Sequence, residues 1–287
     1  MEKEPEITLQ ISREFLKGRP LSYSSLKKFW KSPKHYIKYL TEKKPPPSKI
    51  QIEGRLVETL ALEPEVFEKK FLISPVINRR TNAGKEEYAA LLEKAVINRM
   101  TIVDEDQVRR CNLAVKSLRS LDQSAALLAG KIGAQVPLLW TDKKTNLPIR
   151  GYVDLDTKAW GEHFIVDLKT GADVDPDEFV KIACKSVNLW NLQVGTYLTG
   201  YHKAKYKFPY FIFLGVETDE PYNVSVNFCD DKFVKEAKEE FEGTLQAFNY
   251  CLENQLFHMG YEFRLMGNMN YFSMKLPGYY KPKFVVR

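Results

Sequence analysis

Two short segments constrain this chain more than any others: Gly151-Tyr-Val-Asp154 and, twelve residues later, Asp167-Leu168-Lys169-Thr170. Each follows an apolar run with strand character, Ile149–Leu155 and Phe164–Leu168. Side chains at i and i+2 of a strand share a face. Asp167 and Lys169 are therefore expected to point together while Leu168 points into the core, and Asp154 can join them from the neighbouring strand. A D-x-K pattern on an exposed strand is ordinarily a solvated ion pair. Here Ile165, Val166 and Leu168 mark the strand as central, where charges call for a reason. Two carboxylates and a lysine on one face suit a hard divalent cation such as Mg²⁺, with a main-chain carbonyl, that of Leu168, completing the shell. Such an ion lowers the pKa of bound water and takes up charge on a phosphate. The lysine orients the water or stabilises the charge that develops.

Two further features fit that chemistry. Glu58 lies on a helix, 51–62, that is apolar almost all round. Its face is small, with Gly54 at i−4 and Ala61 at i+3, a poor place for an unpaired carboxylate. It is a candidate third metal ligand or a helix-boundary ion pair. Gln193 and Tyr197 share one face of the helix after the Asp167 strand. They are candidates to hydrogen-bond a phosphate or Lys169, against the plainer reading of ordinary helix surface.

Elsewhere the pattern reads as helices, then strands, then helix, strand, strand, helix, a mixed α/β fold with a helical N-terminal part. The first ~20 residues read as a loose arm. Ser22 or Ser24 caps a short helix, and Ser32-Pro33 opens a second helix through Leu40. Lys43-Lys44-Pro45-Pro46-Pro47 forms a stiff connector. Helices are expected at 84–98 and 104–129. Strands follow at Val136–Trp140, Ile149–Leu155 and Phe164–Leu168, then a helix from Asp175 to about Tyr201. Strands at Phe208–Val216 and Tyr222–Phe228 precede a last helix capped by Asp230 or Asp231. The chain is taken as one domain, 1–287, with a helical part to 130, an α/β core over 131–258 and a tail from 259.

Charge is uneven. Residues 1–50 hold ten lysines and two arginines against five glutamates, +7, in a chain of net charge +6. The excess lies at Lys27–Lys49, interleaved with aromatic residues, which suits either a phosphate backbone or a solvated helix face. Cys111, Cys184, Cys229 and Cys251 form no metal-spaced pair and read as free, mostly buried thiols. The polar N-terminus and the lack of a long apolar run point to a cytosolic chain with no membrane span.

These motifs, taken in order, resemble the PD-(D/E)XK nuclease superfamily, and within it the RecE and RecB-like exonucleases, from about residue 20 to 200. Leu21-Ser22-Tyr23-Ser24-Ser25-Leu26 with Ser32-Pro33-Lys34-His35-Tyr36 is similar to that family's N-terminal motif. Gly54 through Glu58 to Pro64 is similar to its helix motif, and Arg79-Arg80-Thr81 to Gly84-Lys85 to the segment that follows. Gly151-x-x-Asp154, Asp167-x-Lys169 and Gln193-x-x-x-Tyr197 match the rest. Relatives commonly carry histidine where this chain has Glu58, which puts metal preference in question. The cysteine triplet of the iron–sulfur relatives is missing from the sequence.

The resemblance implies a restriction-endonuclease-like core and a double-stranded DNA exonuclease, 5′→3′, that leaves 3′ tails for a single-strand annealing protein. It also implies a ring-shaped homo-oligomer, trimer or tetramer, and a phage or prophage origin in the bacterial cytoplasm. Glu58, Asp154, Asp167 and the Leu168 carbonyl would hold two Mg²⁺ ions, with Mn²⁺ as a substitute. Lys169, Gln193 and Tyr197 would complete the catalytic set. Arg79, Arg80 and Lys85, with Ser24, Lys34 and Tyr36, would contact DNA. The competing readings are an endonuclease of restriction or repair type and a decayed DNA-binding recombination protein.

Overall fold

The computed structural model describes residues 10–183, 188–205 and 207–265. In chain order the helical elements of the first part are α1 (Arg13–Gly18), α2 (Tyr23–Lys31), α3 (Pro33–Thr41), α4 (Lys49–Leu62) and α5 (Phe67–Lys70). The short strand β1 (Phe71–Ser74) follows, then α6 (Asn82–Ile97), β2 (Thr101–Asp104), α7 (Glu105–Ser120) and α8 (Asp122–Ala129). The sheet strands are β3 (Lys131–Thr141), β4 (Pro148–Ala159) and β5 (Glu162–Gly171). After α9 (Pro176–Ala183) and α10 (Trp190–Lys205) come β6 (Tyr210–Glu217), β7 (Val224–Phe228) and α11 (Asp231–Glu253).

Helix starts follow local chemistry. Ser22 and Ser25 cap each other reciprocally at α2, Ser48 and Gln51 do so at α4, and Asp104 and Gln107 at α7. Ser32 caps α3 with Pro33 in its first turn, and Asp230 caps α11. Each such cap is worth about 1 kcal/mol.

β3 to β7 form one mixed sheet in sequence order, antiparallel except for the parallel pair β5–β6. Alternating side chains feed two cores. Val153, Ile165, Phe211 and Phe213 pack on one face, joined by Phe29, Tyr36, Leu198, Phe241 and Phe248 from α2, α3, α10 and α11. Leu155, Val166, Ile212 and Leu214 pack on the other with Leu56, Val57, Leu118 and Leu127 from α4, α7 and α8. The architecture is the expected mixed α/β one.

Several sequence expectations change. The N-terminal arm is not loose from residue 10 on: Ile11 and Leu16 are buried, and Arg13 ties α1 to the Thr145 carbonyl and to Asn249. The 104–129 helix is two, because Leu121 is extended and starts a new helix. The expected single helix is interrupted: Asn188 and Leu189 are not helical, Leu189 having φ 50°, and a separate helix begins at Trp190. The parallel pair β1–β2 was not foreseen: four-residue strands carry too little periodicity to read. Cys111, Cys229 and Cys251 are free and buried, and burial pushes each thiol up to about 12. Cys184 and the tail from 266 lie outside the described residues.

The close approach of α10 to α11 depends on Gly195. A Cβ there would stand 2.1 Å from the Ala237 carbonyl oxygen, a backbone atom that cannot swing aside. Gly195→Ala should cost about 1–3 kcal/mol in urea denaturation. Gly243→Ala, in α11 with open space around it, should instead stabilise by up to about 1 kcal/mol.

Candidate active site

The site is built on a fork in the sheet. β4 and β5 pair from Ala159–Glu162 up to Leu155–Val166. Beyond that pair β4 continues only with β3, and β5 only with β6. Asp154 and Asp167 are the first residues past the last pair, one on each tine. The Leu168 N–H, without a β4 acceptor, donates instead to Asp154 Oδ2 at 3.0 Å. The open half of β4 is covered by Leu21: its N–H donates to the Pro148 carbonyl and its carbonyl accepts from Arg150 N–H. This bridge fixes the start of α2 beside the fork. Gly151 has a packing reason: a Cβ there would meet the Tyr197 ring at 3.1 Å.

Asp167 is 2% exposed. Its Oδ1 accepts from the Gln193 side-chain amide, and its Oδ2 contacts the Lys169 ammonium. Lys169 also donates to Gln193 Oε1 at 3.1 Å. Asp167, Lys169 and Gln193 thus close a triangle between β5 and α10. The ammonium stands 5.2 Å from the Trp190 ring and 5.6 Å from that of Phe213, a cation–π setting that holds it in place.

Gly54 lets α4 approach β5, since a Cβ would lie 3.0 Å from Thr170 Oγ1. One turn later Glu58 reaches the same cleft. That cleft, about 400 Å³, is lined by Gly54, Arg55, Glu58, Leu168, Lys169 and Thr170. The buried Arg110–Glu53 ion pair anchors α4 to α7.

Electrostatics is strained. Burial, then the charges of Asp167 and Glu58, pushes the Asp154 carboxyl well above the usual carboxylate range. Burial, then Asp167, pushes Glu58 up to about 7. Burial, then Asp167, raises the phenols of Tyr23 and Tyr197, so both stay neutral donors. Burial, then Lys28 and Lys169, lowers Lys27.

Asp154, Asp167, Leu168, Lys169, Gln193 and Tyr197 therefore meet, with Glu58 beside them. The three carboxylates do not form a ready cage: among the described residues no three His, Cys, Asp or Glu are grouped to hold a metal. Glu58 is instead held by the Gln135 side-chain amide. The donors still fit a divalent ion. Asp167 Oδ2 is buried and has no hydrogen-bond partner beyond its ammonium contact. Two carboxylates and a carbonyl suit Mg²⁺, which keeps several waters, rather than a softer metal.

The DNA-contact candidates fare differently. Tyr36 is corrected: it is 1% exposed, packed on Phe248 and Phe257 in the core. Ser24 lines a second cleft, about 320 Å³, with Tyr23, Arg150, Gly151 and Tyr197. Lys34 is exposed at the start of α3. Arg79, Arg80 and Lys85 are exposed at the start of α6, where Arg79 stacks on Tyr88 at 3.5 Å. Sequence reasoning placed Lys27 at the edge of the basic stretch and Tyr23 within a motif but gave neither a place at the site. Their i, i+4 spacing on α2 was the available signal, and Lys27 lies 5.1 Å from the Tyr23 ring.

A carboxyl with a raised folded pKa binds its proton more tightly folded than unfolded. Stability is then greatest at low pH and falls as pH rises through the folded value. For Glu58 the loss should develop between about pH 4.5 and 7. Thermal denaturation of metal-free wild type and Glu58→Gln should diverge across that window, the variant being the more stable above pH 7. Asp154→Asn, which keeps an acceptor for Leu168 N–H, should likewise raise the melting temperature at neutral pH.

Among solved structures, a protein of Eubacterium rectale described as a candidate exonuclease superposes with TM-score 0.55 at 13% identity, over 89% of this chain and 88% of that one. SSO0001 is also found, at 13% identity over 70% of this chain and 94% of that one, but its TM-score of 0.27 carries no argument. No curated protein matches in sequence. A profile of PDDEXK-like domains of unknown function (DUF3799) matches residues 22–260, a span that holds the whole fork, and the chain belongs to that family.

Proposed function

We propose that the chain is a metal-dependent deoxyribonuclease that degrades duplex DNA from its ends, 5′→3′, leaving 3′ single-stranded tails for recombination by strand annealing. The observation that carries the nuclease reading is the forked pair Asp154 and Asp167 with Lys169 locked between Asp167 and Gln193. End-dependence takes support from the description of the Eubacterium rectale neighbour as a candidate exonuclease.

Asp154, Asp167 and the Leu168 carbonyl would hold Mg²⁺ or Mn²⁺, two ions in the fullest arrangement, which supplies Lewis-acid stabilisation and water activation. Lys169 orients the attacking water and stabilises charge on the phosphate oxygens. Attack in line forms the new P–O bond as the bond to the 3′ oxygen breaks. Gln193 positions the lysine. Tyr197, a neutral phenol, is a donor to phosphate oxygens, the Tyr23 hydroxyl donates to the Asn188 carbonyl and braces that side of the site, and Lys27 adds positive charge beside them. The partners that fit this reading are duplex ends, a single-strand annealing protein and further copies of the chain in a ring of three or four. No helix among the described residues is long and apolar enough to cross a membrane.

The test uses linear duplex labelled at the 5′ or the 3′ end, beside a closed circle, with Mg²⁺ and with EDTA. Release of 5′ label as nucleotides, with the circle intact, is expected. Lys169→Ala should lose cleavage by about 10²-fold or more while its gel-shift affinity is kept. A cut circle makes the protein an endonuclease, and no cleavage with any metal leaves a DNA-binding relic.

A further inference from the structure

On the other side of Glu58 lies a third cleft, about 340 Å³, lined by Arg55, Lys69, Lys70, Arg99, Thr101 and Gln135. Four cations ring one cavity. Lys70 is paired with Glu63 at 2.9 Å. Among the described residues no carboxylate lies within ion-pair distance of Arg55, Lys69 or Arg99. Like charges gathered around a cavity repel one another unless an anion sits among them. Two of the lining residues, Arg99 and Gln135, hold left-handed backbone, at φ 55° and 49°. At Arg99 that conformation is the turn that ends α6, where Met100 N–H donates to the Ala95 carbonyl, and it leaves Arg99 on the rim of the cleft. Arg55 and Glu58 line both this cleft and the one that opens on Lys169, so the two adjoin.

The cleft's contents separate it from the other basic candidates. Arg79 and Arg80 stand at the far end of α6 from Arg99. That helix has 16 residues and so is about 24 Å long. The positive charge of α2 lies on the Tyr23 side of the fork.

From this geometry we propose that the Arg55–Lys69–Arg99 cleft is a phosphate subsite for the bound DNA strand. It grips an internal phosphodiester adjoining the one at Lys169 and so sets the register in which the strand is cut. The proposal rests on the nuclease reading and deepens it. Its ligand is a phosphodiester within the strand, not the terminal phosphate.

The experiment measures binding of full-length protein to end-bearing duplex by fluorescence anisotropy in EDTA, where cleavage is blocked. Each phosphate near the end is replaced in turn by an uncharged methylphosphonate, and 5′-phosphate ends are compared with 5′-hydroxyl ends. Lys69→Ala/Arg99→Ala should bind about tenfold more weakly and lower the slope of log Kd against log salt by about 1, the value for one phosphate. One internal methylphosphonate should cost the wild type about tenfold and the double variant nothing. Lys69→Arg/Arg99→Lys, which keeps both charges, should behave as wild type, so misfolding cannot mimic the result. Wild-type affinity in the double variant overturns the subsite. So does a loss that is equal across all methylphosphonate duplexes, or coupling to the 5′-terminal phosphate alone. A wild type that cleaves DNA without the internal coupling sinks the subsite and spares the nuclease reading. One that shows the coupling but cleaves nothing does the reverse.

Discussion

The separation of β4 from β5 beyond the Leu155–Val166 pair is the constraint on which the site depends. A sheet satisfies its backbone groups by pairing, and a fork leaves them open. Here Asp154 takes the Leu168 N–H, and Leu21 pairs with the exposed stretch of β4 through the Pro148 carbonyl and the Arg150 N–H. A carboxylate that substitutes for a strand is thereby fixed by the sheet itself. Asp167 is fixed from the other tine by Gln193. Neither position depends on a loop, so the donor pair is rigid before any ligand arrives.

That rigidity has a cost in stability. Burial first, and then the repulsion among Asp154, Asp167 and Glu58 across the cleft, raises the pKa of Asp154 and of Glu58. Lys169 offsets only part of it, since one ammonium faces three carboxyls. A site optimised for folding would carry amides at these places. Retaining the carboxyls makes sense if a cation neutralises them, and the buried Oδ2 of Asp167, held only by an ammonium, is where such exchange is cheapest.

Much of this was legible in the sequence, for a physical reason. The period-two pattern around Asp167 puts Lys169 on its face, and the 3.6-residue period puts Gln193 and Tyr197 on one face of α10. Gly54 and Gly151 mark close approaches, to Thr170 and to the Tyr197 ring. What was not legible depends on contacts between distant segments. Tyr36 looked like a DNA contact because it sits in a basic stretch, yet its helix turns it onto Phe248, more than two hundred residues away in sequence. Glu58 was expected beside the metal carboxylates and lies there, but the side chain that holds it could not be read. Its partner Gln135 sits on β3 with a left-handed backbone that no local pattern announces.

Glu58 also shows how one residue can divide a surface. It lies between the cleft that opens on Lys169 and the cleft ringed by Arg55, Lys69 and Arg99. A histidine there, as in the resembling exonucleases, would add a neutral or positive group to an already positive rim. A carboxyl bound by Gln135, with burial holding it up to about 7, carries only part of a negative charge beside that cleft at neutral pH. A polyanion crossing it meets the Arg55, Lys69 and Arg99 cations on one side and the carboxyls of the fork on the other. Such asymmetry favours a strand that rests on the cationic side until a metal ion neutralises the fork. On this argument the choice of glutamate affects where a strand comes to rest as much as which metal is preferred.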